Sequence, residues 1–192
     1  METTRASLLV RIKDPGDSSA WTTFDAIYRP LLDRYARARG LTHADAEDVV
    51  QHCMSAIARH IKSFDYEPAT GRFKGWLKTL VNNRITDLFR KKSHVDGYSA
   101  ALDRLQHREP QPDAIFEQMW MEQHLKRALK LVRQEVEEHS FRAYQLYVVE
   151  QRPAEKVCQL LGLNANQLYS IRWRINRKIR EYLKHLTADM ES

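Results

Sequence analysis

The apolar residues of this chain recur mainly at spacings of three and four, which is the period of amphipathic helices. The first such run covers residues 17–40 and reads DSSAWTTFDAIYRPLLDRYARARG. Asp17 or Ser18 can cap its N-terminus, and Gly40 can end it. Pro30 is expected to kink this run or to divide it in two. The pattern therefore predicts one long helix or two shorter ones.

Two further helices are predicted in the first half of the chain, over residues 42–61 and 72–92. Thr42 can cap the earlier helix, and acidic residues occupy its first turn, where the helix dipole favours them. Its apolar stripe consists of Ala46, Val49, Val50, Cys53, Ile57 and Ile61. The inner stripe of the later helix consists of Phe73, Leu77, Leu80, Val81, Arg84, Ile85 and Leu88.

The character of the sequence changes after residue 92. Residues 93–113 are polar and rich in breakers, so they are predicted to form a flexible linker. Helical patterns resume beyond it, and no strand pattern of any length occurs in the sequence. We therefore predict an all-α protein with two small helical domains, residues 1–92 and 114–192.

The last two helices form a pair that is broken at Gly162, as in a helix-turn-helix. In such a motif the second helix places its N-terminal half against base edges in the major groove of DNA. That half reads NQLYSIRWR, and its buried stripe begins with Leu168, Ile171 and Ile175. Trp173 lies on the opposite, arginine-bearing face, where a flat aromatic ring could pack on a sugar or a thymine methyl group.

The formal net charge is +6, and the basic residues are clustered. Residues 72–92 carry seven Lys and Arg against the single acid Asp87, and residues 166–186 carry six against the single acid Glu181. Two basic helices favour two contacts with a polyanion such as nucleic acid, although each could also be a solvated helix face.

Catalysis finds little support in the sequence. Asp48 and His52 are four residues apart, but a pair without a third ligand is typical of a surface contact rather than a metal site. The sequence contains no Gly-rich phosphate loop, nucleophile elbow or carboxylate dyad. Cys53 and Cys158 suggest neither a metal site nor a disulfide framework, so a reducing cytoplasm is expected. We predict a protein that is not an enzyme and that needs no cofactor or metal.

The residues quoted above resemble a known family over nearly the whole chain. Residues 27–92 are similar to region 2 of bacterial sigma-70 factors, and residues 147–183 are similar to region 4. Factors of the extracytoplasmic-function (ECF) group consist of these two domains and a linker. The resemblance implies core RNA polymerase and promoter DNA as partners, and it leaves open whether an anti-sigma factor is a further partner. It also implies polymerase contacts through the β′ clamp helices and the β flap.

The resemblance assigns roles to three sets of residues. The motif DAEDVVQ is implied to dock on the β′ clamp helices, with Asp45, Glu47, Asp48, Gln51, His52 and Ser55 as the contact face. The third helix is implied to recognise the minus-ten element and to hold unpaired bases through Lys78, Thr79, Asn82, Asn83, Thr86 and Arg90. The last helix is implied to contact the minus-thirty-five element through Asn166, Tyr169, Ser170, Trp173, Arg174 and Arg177.

This sequence departs from the common region 4 pattern at Tyr169, where Lys or Arg is frequent, and at Ile171. Upstream affinity is therefore expected to depend strongly on Arg172, Arg177, Lys178 and Arg180. The predicted function is promoter-specific initiation by core RNA polymerase. The main alternative is a helix-turn-helix regulator that does not serve as a polymerase subunit. A nuclease is a third possibility, but it would need clustered acids for metal ions, and the basic helices have almost none.

Overall fold

The regular structure of the chain is helical throughout the part that the structure describes. A computed structural model describes residues 5–64, 72–96 and 112–187. Within these ranges there is no strand, which confirms the all-α prediction. The predicted linker falls largely on residues 97–111, which lie outside the described residues. The α-helices are α1 Arg5–Arg11, α2 Ser18–Ala38, α3 His43–His60, α4 Arg72–Asp96, α5 Pro112–Glu135, α6 Glu138–Tyr144, α7 Ala154–Leu161 and α8 Ala165–Thr187.

The predicted helix ends in the first half of the chain are confirmed by their caps. Asp17 caps α2, where its side chain accepts a hydrogen bond from the Ala20 amide, and Thr42 caps α3 in the same way from the Asp45 amide. Gly40 follows α2 with a φ of +86°, the left-handed conformation that glycine adopts without strain. Pro30 lies inside α2 and does not divide it, so that part of the expectation was wrong.

Helix α1 was not predicted. It has seven residues, too few to show the helical period or to be stable in isolation. Its Leu8 and Leu9 are buried in the core formed with α2, and so is Ile12 just beyond it. The Arg11 guanidinium donates to both carboxylate oxygens of Asp17 at 2.7 and 2.9 Å. Hydrogen bonding from Arg11, followed by that from the Ala20 amide, lowers the pKa of Asp17.

Contacts divide the chain into two compact units, and the division falls inside α5. Unit 1 contains α1 to α4 with the first part of α5, up to Gln123. Phe116 and Trp120, both from α5, are fully buried in the core of unit 1 beside Tyr35 and Tyr28. The ring centroids of Phe116 and Tyr35 are 5.1 Å apart, and those of Trp120 and Tyr28 are 5.9 Å apart. The boundary predicted from the sequence lies earlier, at residue 114.

Unit 2 runs from His124 to Leu186 and has a core of its own. Its fully or nearly fully buried residues include Val132 of α5, Leu146, Val157 of α7 and the α8 stripe of Leu168, Ile171, Ile175 and Ile179. Between α6 and α7, residues Gln145–Val149 form a π-helical turn. The Tyr144 hydroxyl donates to the Asn176 side chain at 2.8 Å, so α6 and α8 are joined by a hydrogen bond as well as by packing.

The end of α5 is fixed to α8 through Glu135. Its carboxylate accepts hydrogen bonds from the Lys178 ammonium, at 2.8 Å, and from the Tyr182 hydroxyl. The bond from Lys178 and then that from Tyr182 lower the pKa of Glu135. Burial, followed by the carboxylate of Glu135, raises the pKa of Tyr182 to about 12. Lys178 therefore has a partner within unit 2, and its contribution to DNA affinity stays a prediction.

Two residues with a left-handed backbone conformation flank α7, and substitutions at them should change the free energy of unfolding in opposite directions. Gly162 ends α7 with a φ of +64°, and a Cβ added there would meet no atom within 4 Å. Gly162→Ala should therefore lower the free energy of unfolding by about 1 kcal/mol through backbone strain alone. Gln151 has a φ of +57°, so Gln151→Gly should raise the free energy of unfolding by up to about 1 kcal/mol. Thermal and urea unfolding measure both; equal and same-signed changes would contradict the conformational explanation.

Candidate nucleic-acid and protein interfaces

The helix-turn-helix predicted around Gly162 is confirmed in its geometry. Helix α7 ends at Gly162, and the Leu163 amide donates back to the Cys158 carbonyl at 3.0 Å. Asn164 and Gln167 then exchange hydrogen bonds, each side chain accepting from the other residue's amide at 2.9 Å. This reciprocal cap fixes the start of α8. Cys158, expected to be a small buried residue between the helices, is only half-buried, because Val157 takes the buried position.

Helix α8 has one buried face and one exposed face. The residues of the stripe from Leu168 to Ile179 are buried. All six residues assigned to minus-thirty-five recognition are exposed, namely Asn166, Tyr169, Ser170, Trp173, Arg174 and Arg177. The structure therefore brings the predicted set together on one surface that the core of unit 2 does not use.

Trp173 is the most unusual residue of that surface. Its exposed fraction is 58%, although indole is among the most apolar side-chain groups. The Arg177 guanidinium lies over the ring at 4.9 Å from its centroid, and Arg177 also pairs with Glu181 at 3.6 Å. The ring is thus held by a cation–π contact on the outside of the helix rather than by packing. Such an arrangement leaves a flat apolar face for a ligand.

A cleft of about 460 Å³ runs beside the exposed face of α8. Its lining residues are Tyr147, Tyr169, Arg172, Trp173, Asn176 and Arg180. The Tyr147 ring lies 6.1 Å from that of Tyr169 and 6.0 Å from the Arg172 guanidinium. Sequence reasoning missed Tyr147 and Asn176. Tyr147 comes from the π-helical turn, so its position beside α8 is a tertiary contact that helical periodicity does not encode.

The candidate minus-ten residues on α4 fall into two groups. Thr79, Asn83, Thr86 and Arg90 are exposed, as a nucleic-acid contact requires. Lys78 and Asn82 are half-buried. The Asn82 side-chain oxygen accepts from the Tyr35 hydroxyl at 2.7 Å and from the Arg39 guanidinium at 3.0 Å. Asn82 therefore joins α4 to α2, so a change there would alter packing as well as any DNA contact.

The predicted docking face on α3 is largely exposed, with Glu47, Asp48, Gln51, His52 and Ser55 open to solvent. Asp45 is half-buried. It accepts hydrogen bonds from the Lys92 ammonium and the Thr42 hydroxyl, both at 2.5 Å. These two bonds lower the pKa of Asp45, and the bond from Lys92 has the larger effect.

Asp48 of the docking face is joined to α4. It accepts from the Arg84 guanidinium at 2.5 Å, and the Arg84 side chain is only 17% exposed. Arg84 was assigned to the inner stripe, and it lies at the edge of that stripe with its end turned toward α3. Two acids of the candidate docking face are thus already paired with basic residues of α4.

Within residues 5–64, 72–96 and 112–187, no three His, Cys, Asp or Glu side chains approach closely enough to hold a metal ion. None of the helices in these ranges is both long and apolar enough to cross a membrane.

Comparison with known proteins agrees with the helical architecture. Residues 26–95 match the family model of sigma-70 region 2, which covers α3, α4 and most of α2. The chain is also similar to an ECF RNA polymerase sigma factor, SigE, of Mycolicibacterium smegmatis. The two sequences are 29% identical over 188 residues, covering 92% of this chain and 68% of the relative. The chain is therefore similar to sigma-70 factors in residues 26–95 and to an ECF RNA polymerase sigma factor over most of its length.

Proposed function

We propose that the chain binds core RNA polymerase and directs it to specific promoters. The observation that carries this proposal is the exposed face of α8, which bears amide, hydroxyl, aromatic and guanidinium groups on the second helix of a well-formed helix-turn-helix. These groups suit base edges and phosphates of duplex DNA in the major groove. Unit 2 would thus hold the minus-thirty-five element.

Helix α4 would act on the second promoter element. Its exposed Thr79, Asn83, Thr86 and Arg90 offer hydroxyl, amide and guanidinium groups along one surface. Trp76, which is half-buried against Phe64 and Phe73, belongs mainly to the core beneath it. A basic surface with amides suits single-stranded DNA, so α4 would hold unpaired bases of the minus-ten element and stabilise the opened duplex.

Helix α3 would provide the polymerase contact. Acidic side chains are unfavourable beside DNA phosphates but suitable for a protein partner. We assign this contact to the β′ clamp helices, and a contact of unit 2 to the β flap. Two moderate DNA contacts tethered to one enzyme act through effective concentration, so neither unit has to bind DNA tightly by itself. The polymerase supplies the chemistry, and the site of action would be the cytoplasm.

A helix-turn-helix regulator without a polymerase contact is the less favoured alternative. It would account for α7 and α8 but would leave the exposed face of α3 and the basic surface of α4 without a role.

Transcription by a reconstituted enzyme tests the proposal. Purified protein mixed with core RNA polymerase and a library of promoter fragments should produce transcripts from a specific subset of fragments. Binding to those fragments should weaken steeply as salt is raised, because phosphate contacts release counterions. A protein that binds DNA but does not associate with core polymerase would contradict the proposal and favour the alternative regulator.

Added positive charge on α3 tests the docking face. We expect Gln51→Arg with Ser55→Arg to weaken core polymerase binding about tenfold, because two bulky cations would disrupt an acidic interface. These positions are preferable to Asp48, whose replacement would also remove the partner of the Arg84 guanidinium. Affinity for core polymerase is measured by fluorescence anisotropy with labelled protein.

The matched control for this variant is Thr22→Arg with Ala26→Arg, which places the same pair of cations four residues apart on the exposed side of α2. Its affinity for core polymerase should remain close to that of the unchanged protein. Equal losses in both variants would show a general effect of charge and would remove the docking assignment from α3.

A further inference from the structure

The first part of α5, residues 113–123, is docked on unit 1 by a buried apolar contact. Phe116 and Trp120 are fully buried there, and their rings lie near Tyr35 and Tyr28 of α2. The side-chain amide of Gln123 also donates to the Ile27 carbonyl at 2.9 Å. This part of α5 is therefore a component of the unit 1 structure.

Two carboxylates of the docked segment hold two lysines of α4. Glu117 accepts a hydrogen bond from the Lys74 ammonium, and Asp113 pairs with the Lys78 ammonium at 3.2 Å. Asp113 and Glu117 are four residues apart on α5, and Lys74 and Lys78 are four residues apart on α4. The two ion pairs therefore lie along the same stretch of the α4–α5 contact. Lys74 is only 7% exposed and lies 5.9 Å from the centroid of the Trp120 ring.

The other edge of the segment is fixed without using α4. Glu122 pairs with Arg34 of α2 at 3.5 Å, and the same arginine donates to the Met119 carbonyl at 3.5 Å. The contacts with α2 can therefore hold the segment in place even if the carboxylates that face α4 are removed.

We infer that the first part of α5 is a built-in competitor of promoter DNA for the lysines of α4. While the segment is docked, Asp113 and Glu117 occupy the ammonium groups that would otherwise neutralise phosphates of single-stranded DNA. The inference rests on the proposed function, in which α4 contacts the minus-ten element. Because the acids belong to the same chain, their effective concentration is high, and DNA has to displace them. The free protein thus binds single-stranded DNA more weakly than the charge of α4 alone would allow.

Removal of the two charges tests this inference in the full-length chain. The variant Asp113→Asn with Glu117→Gln keeps the side-chain shapes and the buried Phe116 and Trp120. We expect it to bind a fluorescent oligothymidylate about three- to tenfold more tightly at low salt. The slope of log affinity against log salt concentration should also increase in magnitude by up to about 1.4, which corresponds to contacts with two additional phosphates of a single strand.

The matched control removes the same number of charges from the α2 side of unit 1. It is Asp25→Asn with Asp33→Asn, two acids of α2, and Asp25 pairs with Arg29 of the same helix. The control should show less than half of the gain in affinity. Equal gains in both variants would overturn the inference, because net charge alone would then explain them.

A second comparison identifies the lysines. Adding Lys74→Gln and Lys78→Gln to the Asp113→Asn, Glu117→Gln variant should abolish the gain, and a gain that persists would overturn the inference. The proposed function is tested separately, by measuring how well polymerase opens a promoter with the single variant Lys78→Gln. If Lys78→Gln impairs opening but charge removal brings no gain, α4 contacts DNA and the competition by α5 is wrong. If Lys78→Gln leaves opening unchanged, the minus-ten assignment of Lys78 fails whatever α5 does.

Discussion

Replacement of Trp173 by alanine should weaken binding of the upstream promoter element by about 2 kcal/mol, roughly thirtyfold, and should leave the fold intact. The indole is 58% exposed and contacts the Arg177 guanidinium rather than the core of unit 2. Its removal therefore leaves no cavity. Bound DNA would cover the ring, so the variant would lose apolar contact in the complex alone. Electrophoretic mobility shift with a minus-thirty-five duplex measures the loss, and thermal unfolding measures the stability.

The control for Trp173 is Trp173→Phe, which retains a flat apolar ring and should keep most of the affinity. Trp173→Ala removes the cation–π contact of Arg177, whereas Trp173→Phe keeps a weaker one, so the phenylalanine variant tests whether a flat aromatic ring at this position is sufficient. A Trp173→Ala protein with a lower melting temperature and unchanged DNA affinity per folded molecule would contradict the assignment. It would instead place Trp173 in a packing surface.

The recognition face of α8 could be predicted from the sequence because it depends on local geometry. Once Leu168, Ile171 and Ile175 define the buried stripe, the helical period alone places Trp173 and Arg174 outside it. The cleft beside α8 could not be predicted in this way. Tyr147 reaches it from the π-helical turn, and a π turn shifts the register of side chains relative to an α-helix.

The polar face of α3 shows a different limit of sequence reasoning. Its acids were correctly placed outside the apolar stripe, as Asp48 shows. What the pattern cannot indicate is that Arg84 and Lys92, 36 and 47 residues away from their partners, pair with Asp48 and Asp45. Ion pairs between helices depend on how the helices cross. The candidate docking surface is consequently less acidic than the sequence implies.

The apolar stripe of α5 does not show where the first unit ends. Phe116, Trp120, Ala128 and Val132 keep one helical period along a single uninterrupted helix. Nothing in that period shows that the first two residues belong to the core of unit 1 and the last two to the core of unit 2. Hydrophobic periodicity predicts which face of a helix is buried, and it carries no information about the partner against which that face is buried.

A fragment of residues 1–123 should therefore fold, whereas a fragment of residues 1–111 should show no cooperative unfolding transition. The shorter fragment lacks Phe116 and Trp120, both fully buried in the unit 1 core. Deleting one large aromatic side chain from a core costs about 3–5 kcal/mol, so losing two is comparable with the roughly 5–15 kcal/mol that stabilises a whole domain. Urea unfolding followed by circular dichroism compares the two fragments.

The variant Trp120→Ala in the fragment of residues 1–123 separates burial from chain length. It keeps the α5 backbone, Phe116 and the ion pairs of Asp113, Glu117 and Glu122, so it should lose about 3–5 kcal/mol and remain more stable than the shorter fragment. Equal stability of the fragments that end at residues 111 and 123 would show that the first part of α5 contributes nothing to unit 1. The same result would remove the structural basis for competition between α5 and promoter DNA, because a segment that does not stabilise unit 1 has no reason to stay beside Lys74 and Lys78.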